Sequence, residues 1–269
     1  MKKLITTLIS ISLIIYILFP FFWLVISSFK VPEELFQKPP TWFPEKGTIE
    51  YYVDIIKSED FQTALLNSLI VASFSTIISL ILGTIAAYAF ARLKFRGKNM
   101  FFLTILCTQM LPQMALLIPL FVLMRTTGLL YTHTGLIFAS VTFSLPYVVW
   151  MFRSFIVSVP YDIEEAARLD GCTKLEAIIK MVVPLSLPGF VTTGIFVFIG
   201  AWNEFLFASI MSNSDTKTLP VRIAEYIGEE RVAYELMFPT GVLATIPVLI
   251  LVLIFQRYII QGLTDGSVK

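Results

Sequence analysis

The chain has 269 residues, of which 57% are hydrophobic and 14% are charged, and its formal net charge is +1. A soluble domain of this length cannot bury so much apolar surface, so the composition excludes a soluble globular protein and indicates a lipid bilayer. The near-zero net charge gives no reason to expect a nucleic-acid partner. With one histidine and two cysteines that lie far apart, the sequence provides neither a transition-metal site nor a disulfide framework.

Six stretches along the chain contain no Asp, Glu, Lys or Arg, and each is at least 21 residues long. A helix needs about 20 apolar residues to cross a bilayer. The chain is therefore predicted to be an all-α integral membrane protein, in which residues 1–269 form a single transmembrane domain with six transmembrane helices. The predicted spans are about 4–29, 63–91, 100–124, 135–153, 188–210 and 237–258.

Basic residues between the predicted spans indicate how the spans are oriented, because cytoplasmic loops are enriched in Lys and Arg. The strongest marker is RLKFRGK at residues 92–98, between the second and third spans. With this segment inside, both termini and the loop 154–187 are predicted to face the cytoplasm. The segments 30–62 and 211–236 are then extracellular. His133, in the short loop before the fourth span, is expected to be solvated.

Residues 164–184 (EEAARLDGCTKLEAIIKMVVP) form a charged island between two very apolar spans. Asp162 stands three residues before Glu165, and Thr173 stands three residues before Glu176. This is the spacing of a capping box, which marks the start of a helix. The sequence therefore predicts two short helices that lie outside the bilayer.

The ends of these two short helices are also marked in the sequence. Gly171 is placed to end the first helix, because glycine readily adopts the left-handed conformation found there. Pro184 is placed to end the second helix, because it lacks a backbone N–H and clashes with the preceding turn. Residues 170–172 would then connect the two helices.

The first short helix has the features of a contact surface. Ala166 and Ala167 are small, which would let the backbone of a partner approach closely, and Leu169 would supply an apolar contact. The charged residues at the rim of this surface are Glu164, Glu165 and Arg168. The alternative is that Glu165 only caps its own helix and that the alanines reflect helix propensity.

The letters EAA at 165–167, followed by Gly171, resemble the EAA loop of permease subunits of ABC importers. The usual end of that loop, I-x-L-P, is replaced here by MVVP at 181–184, a mild apolar departure. AWNEFL at 201–206 and FQRY at 255–258 resemble segments of the maltose- and trehalose-type carbohydrate permeases. The resemblance covers nearly the whole chain.

This resemblance implies the fold of a type I ABC importer permease in a bacterial cytoplasmic membrane, with 154–187 as a two-helix coupling loop. In such importers the EAA helix docks in a cleft of a cytoplasmic ATPase, which is present in two copies and binds the ATP and Mg. The permease then needs no cofactor of its own. The implied ATPase contacts are Glu165, Ala166, Ala167, Arg168, Leu169, Asp170 and Gly171. The tail 261–269 is also expected to reach the ATPase dimer.

The resemblance further implies a second homologous permease in a heterodimer, and an extracellular substrate-binding lipoprotein or periplasmic binding protein. The substrate would be a di- or oligosaccharide of the maltose and trehalose class. Glu204 is the one acidic residue inside a predicted span, and such residues are functional candidates. Trp202 would offer a face to a sugar ring, and Asn203 would offer a hydrogen-bond donor and an acceptor.

Other polar residues within the predicted spans are candidates for the substrate path or for contacts between helices. They are Asn67, Ser68, Gln109, Gln113, Thr142 and Ser144. Intramembrane polar side chains often only hold helices together. In the same way, Glu204 lies near the outer end of its predicted span and is alternatively an interfacial glutamate.

Other functional classes make different predictions. No G-x-x-x-x-G-K-[ST] motif occurs, so the chain is not expected to be an enzyme that hydrolyses ATP. A proton-coupled secondary carrier that uses Glu204 predicts an internal repeat of helices, which this sequence does not show. A membrane-embedded enzyme would need a nucleophile–base or metal set that these residues do not supply. An amino-acid permease within the ABC class stays open.

Overall fold

The computed structural model describes residues 2–228 and 231–265, and within them the chain is built of α-helices. An isolated antiparallel bridge between Ile227 and Val232 is the only strand-type pairing in these residues. The predicted all-α class is therefore confirmed. The helices are α1 (Lys2–Ser27), α2 (Pro32–Leu35), α3 (Glu50–Lys57), α4 (Glu59–Arg92), α5 (Lys98–Thr108), α6 (Gln113–Thr126), α7 (His133–Ser158), α8 (Tyr161–Leu169), α9 (Lys174–Ala177), α10 (Val183–Leu185), α11 (Leu187–Trp202), α12 (Leu206–Met211), α13 (Leu219–Ala224) and α14 (Tyr234–Asp265), with a π-helical turn at Ile178–Val182.

Four helices in the described part of the chain, α1, α4, α7 and α14, are long and apolar enough to cross a membrane. Two further pairs qualify only if each pair counts as one span. These pairs are α5 with α6, which bends by 95°, and the run Lys174–Leu185 with α11, which bends by 83°. The structure therefore provides four to six candidate spans, and the number six stays a prediction.

The chain divides into two compact units. The first comprises Met1–Leu65 and Val221–Pro247, and the second comprises Leu66–Pro220 and Val248–Lys269. Helices α4, α13 and α14 each contribute residues to both units. Every residue that the sequence analysis assigned to a site belongs to the second unit.

In the first unit, a buried carboxylate organises the irregular stretch that follows α1. Glu34 is only 6% exposed. Its two carboxylate oxygens accept hydrogen bonds from the backbone N–H groups of Glu45 and Lys46, at 3.1 and 2.7 Å. Because a buried charge needs such donors, these bonds both satisfy the carboxylate and fix the path of a stretch with little helix of its own.

In the second unit, helices approach one another closely at two glycines. A Cβ atom on Gly83 would lie 2.4 Å from Cγ1 of Val148, so α4 and α7 meet without a side chain between them. A Cβ atom on Gly189 would lie 2.2 Å from the ring of Phe155, so α7 and α11 are equally close. Small residues at such crossings are typical of membrane helices.

Gly189→Ala is expected to destabilise the second unit, because the added methyl group would overlap the ring of Phe155. Overpacking of this kind costs about 1–3 kcal/mol. Gly200→Ala in the same helix is the matched control, since no described neighbour lies within 4 Å of the position its Cβ would take. Thermal unfolding in detergent should therefore show a lower Tm for the Gly189 variant alone. Equal melting temperatures would contradict the close contact.

A small hydrophobic cluster lies where α4, α7, α11 and the π-helical turn meet. Its members Ala87, Phe152, Ile156 and Val182 are fully buried, with 0% exposure. The ring of Phe190 in α11 packs edge-on against Phe152, with the ring centroids 5.5 Å apart. This cluster connects the charged island to three of the helices that carry apolar spans.

Candidate functional site

The first helix of the island begins without the predicted capping box. The helix starts at Tyr161, its N-cap is Pro160, and within the described structure no side chain caps it. Asp162 therefore lies inside the first turn rather than at the N-cap, so the predicted Asp162–Glu165 box is wrong. Acidic side chains in the first turn still favour the helix through its dipole.

The predicted end of this helix is confirmed. Gly171 has a φ of +94°, in the left-handed region. The N–H of Cys172 donates to the carbonyl of Ala167 at 3.0 Å, and the N–H of Gly171 donates to that of Arg168 at 3.2 Å. This pair of bonds is a Schellman motif, which gives the helix a fixed end instead of a frayed one.

The second predicted capping box is also confirmed. The N–H of Glu176 donates to Oγ1 of Thr173 at 3.3 Å, and the N–H of Thr173 donates to the Glu176 carboxylate at 2.8 Å. Lys180 adds an ion pair to the same carboxylate at 3.2 Å. The second helical run continues through Pro184 and ends at Leu185, one residue beyond the predicted stop, before the 83° bend into α11.

The residues predicted to contact an ATPase mostly share one exposed surface. This surface, called here the loop face, consists of Glu165, Ala166, Arg168, Leu169, Asp170 and Gly171, all of which are exposed. Leu169 is 89% exposed, which is unusual for a leucine. Ala167 is the exception, because it is only 3% exposed and packs inside the chain. Its side chain therefore lies outside the loop face, and its contact with an ATPase stays a prediction.

Glu164 does not lie at the rim of this surface, as the sequence analysis expected. It is 2% exposed and contacts the C-terminal end of α4. Nε of Arg92 donates to its Oε1 at 2.5 Å, and the hydroxyl of Tyr88 donates to its Oε2 at 2.9 Å. Arg92 also donates from Nη2 to the carbonyl of Val159 at 2.6 Å, just after the end of α7. Glu164 is thus part of an internal network.

Asn67 is engaged in holding a loop and does not face an open path. Its side chain is buried, and its amide nitrogen donates to the carbonyls of Asp215 and Lys217, both at 2.9 Å. Its Oδ1 lies 2.7 Å from Nε2 of His133. The expectation that His133 is merely solvated is therefore wrong, and Asn67 acts as a contact between segments, which was the stated alternative.

The fifth predicted span is interrupted at the candidate residues 202–204. Helix α11 ends at Trp202, and α12 begins at Leu206. The Glu204 carboxylate accepts hydrogen bonds from the N–H groups of Phe207 and Ala208, at 2.7 and 3.0 Å. It satisfies the first N–H groups of α12, which have no partner within the helix. The residues of the predicted span 188–210 are therefore divided between two helices.

The three neighbouring candidates at this break do not act together. Trp202 is 3% exposed, and its ring stacks on Phe198 with the centroids 5.8 Å apart. Its ring therefore offers no open face to a sugar, which corrects the expectation for this residue. Asn203 is exposed, and Glu204 is partly exposed and serves as a helix cap. Of the three residues, only Asn203 has an exposed side chain that can offer a hydrogen-bond donor and an acceptor, as the sequence analysis expected.

A cavity of about 550 Å³ lies beside the break between α5 and α6. Gln109, Gln113 and Thr142 supply its polar lining, while Phe138 and Phe143 are among its apolar residues. Nε2 of Gln109 donates to the carbonyl of Phe143 at 3.0 Å, which links the break to α7. The volume is within the range of ligand pockets, and apolar walls with a few polar groups are typical of them.

Of the polar residues that the sequence analysis considered for the substrate path, Gln109, Gln113 and Thr142 line this cavity. Pro112 is the signal that could have found the site, because it directly precedes α6 at a bend of 95°. Broken helices at membrane depth occur where they line a cavity or are buried in protein.

The fold and this arrangement match a known class of membrane protein. The chain belongs to the family described as binding-protein-dependent transport system inner membrane component, whose model matches residues 79–265. This confirms the family resemblance drawn from the EAA letters. Membership also makes the chain a multi-pass protein of a membrane, in agreement with its apolar helices.

Two curated relatives and one solved structure illustrate the similarity. The sulfoquinovosyl glycerol transport system permease protein SmoH of Agrobacterium fabrum is 40% identical over 253 residues, which cover 94% of this chain and 89% of SmoH. The trehalose transport system permease protein SugB of Mycobacterium tuberculosis is 39% identical over 261 residues, which cover 94% and 93%. A bacterial ABC transporter involved in the import of the acidic polysaccharide alginate matches with a TM-score of 0.80 at 23% identity, over 96% of both chains.

Proposed function

We propose that this chain is the non-catalytic transmembrane permease subunit of an ATP-driven importer for a di- or oligosaccharide. The observation that carries the proposal is the loop face, an exposed surface on a helix with a fixed end, in a chain of the binding-protein-dependent transport family. The substrates in the names of these relatives, sulfoquinovosyl glycerol and trehalose, support a sugar as the cargo.

The loop face has the properties needed to receive force from an ATPase. Its most exposed side chain, Leu169, is suited to burial in a cleft of a partner, because an apolar side chain gains most when water is removed. The Schellman motif at Gly171 and the capping box at Thr173 hold the two helical runs in a fixed relation. A rigid loop transmits motion, whereas a flexible one would absorb it.

The proposed arrangement follows the family. Six spans form a single transmembrane domain, both termini and the loop 154–187 face the cytoplasm, and two ATPase copies bind the ATP and Mg. A second homologous permease completes the path, and a substrate-binding protein delivers sugar to the segments 30–62 and 211–236. The tail contact with the ATPase is also proposed, although Gly266–Lys269 lies outside the described residues.

The cavity beside the α5–α6 break is the proposed contact point for the sugar in this chain. The amides of Gln109 and Gln113 and the hydroxyl of Thr142 can bond sugar hydroxyl groups, and the ring of Phe138 can cover an apolar sugar face. Two backbone N–H groups already engage the carboxylate of Glu204, so this residue is occupied as a cap rather than available as a proton carrier.

Reconstitution with the partner subunits tests the proposal. The tagged chain is purified from its native membrane, the co-eluting ATPase and binding protein are identified, and the complex is placed in proteoliposomes. ATP-dependent uptake of trehalose or maltose, with ATP hydrolysis stimulated by the loaded binding protein, is the expected result. A chain that elutes without an ATPase under every nucleotide condition, or a complex that takes up amino acids and no sugar, would overturn the proposal.

A further inference from the structure

The inner ends of α4 and α7 are joined to α8 through one buried ionic network. Arg92, the last residue of α4, bonds both the carboxylate of Glu164 in α8 and the carbonyl of Val159 after α7. Tyr88, one turn earlier in α4, bonds the second oxygen of the same carboxylate at 2.9 Å. Three helices therefore meet at a single arginine–glutamate pair.

This pair is shielded from solvent. The side chain of Glu164 is 2% exposed and that of Arg92 is 11% exposed. The guanidinium carbon of Arg92 lies over the ring of Tyr161, 5.7 Å from the ring centroid. Hydrogen bonds to charged groups are stronger than neutral ones, and an ion pair in a low-dielectric setting is held more firmly than one in water. The network is thus a stiff joint rather than a surface contact.

Glu164 and Ala167 lie three residues apart and are the two buried members of α8, whereas Glu165, Ala166 and Arg168 are exposed. Residues with this spacing share one face of a helix. Helix α8 therefore has an inner face that is fixed to the subunit and an outer face that is available to a partner. The carboxylate of Glu164 on the inner face bonds residues of this subunit, whereas the charged side chains of the loop face are exposed.

We propose that the Arg92–Glu164 pair is a mechanical joint that makes α8 move as one body with the inner ends of α4 and α7, so that both residues are positioning residues for coupling. The proposal rests on the proposed function, because it assumes that an ATPase pulls on the loop face. It assigns to Glu164 a role inside the subunit, and it adds α4 to the helices that receive the force.

The test compares neutral variants of the joint in the reconstituted complex. Glu164→Gln keeps the size of the side chain and removes its charge, and Tyr88→Phe removes one hydrogen bond only. Asp162→Asn is the matched control, because Asp162 is an exposed carboxylate in the same helix and outside the network. The measured quantity is sugar transported per ATP hydrolysed, normalised to assembled complex.

The expected result for Glu164→Gln is a fall of about ten-fold in this ratio, with ATP hydrolysis itself largely kept, since a hydrogen bond between charged groups is replaced by a weaker one. Tyr88→Phe should fall less, and Asp162→Asn should match the parent. The double variant Arg92→Gln with Glu164→Gln should recover most of the loss, because two amides can bond each other across the joint.

Three results would overturn the inference. They are an unchanged ratio in Glu164→Gln, a loss confined to the amount of assembled complex, and a double variant that stays at the level of the single one. The last two would mean that the pair only stabilises the fold. If the parent chain itself shows no ATPase association, the proposed function fails instead, so the two failures are distinguishable.

Discussion

Leu169→Asp is expected to lower sugar uptake by the reconstituted importer about 30-fold or more, because a central apolar contact of an interface is commonly worth ~2 kcal/mol. Its side chain is 89% exposed in the subunit, so the fold does not depend on it. In an ATPase cleft the same side chain would be buried, and an aspartate there would lose its hydration without a partner. Uptake and the affinity of the ATPase for the permease should fall together.

The matched control is Leu175→Asp. Leu175 is 59% exposed and lies in the second helical run of the same loop, outside the loop face. It should leave uptake within about two-fold of the parent, since surface changes away from such contacts have small effects. Equal losses in the two variants would place the partner on the whole loop instead of on the end of α8. Unfolding of the Leu169 variant in detergent would contradict the prediction.

Gly171→Ala is expected to reduce the sugar transported per ATP hydrolysed by about ten-fold, because an L-residue in the left-handed region costs about 1–2 kcal/mol. Gly171 has a φ of +94°, and its N–H and that of Cys172 close the Schellman motif. Relief of the strain would open this motif and loosen the end of α8. The loss should appear in the ratio of transport to hydrolysis, measured in proteoliposomes.

Gly128→Ala is the matched control for this change. Gly128 also has a positive φ, +72°, and no described neighbour lies within 4 Å of the position of a Cβ at either glycine. Both variants should therefore lose similar stability in thermal unfolding. Only the Gly171 variant should transport less sugar per ATP hydrolysed, because Gly128 lies just after α6 and outside the island. A similar loss of coupling in both variants would show that general strain, and not the loop, is responsible.

Features of the island that depend on neighbouring residues could be predicted from the sequence. The Thr173–Glu176 box and the glycine end at Gly171 need only short-range spacing, and both are confirmed. The Asp162–Glu165 box has the same spacing but is wrong, because Pro160 takes the N-cap position and the helix begins two residues earlier than the box requires. Spacing alone does not decide where a helix begins.

Features that depend on distant residues could not be predicted in this way. The burial of Glu164 follows from Arg92, which is 72 residues away in the chain. Trp202 is hidden by Phe198, and nothing in the sequence distinguishes a ring that stacks on its own helix from one that faces a cavity. Pro112, by contrast, is a local signal for a helix break, and the break forms the wall of the cavity.

The two hydrogen bonds from Asn67 to the carbonyls of Asp215 and Lys217 have a consequence for biosynthesis. These partners lie 148 and 150 residues further along the chain. At translation rates of about 5–20 residues per second, the ribosome needs roughly 7–30 seconds to deliver them. The amide nitrogen of Asn67 is therefore without these two acceptors in the nascent polypeptide for that time, and both hydrogen bonds can form only after residue 217 has been synthesised.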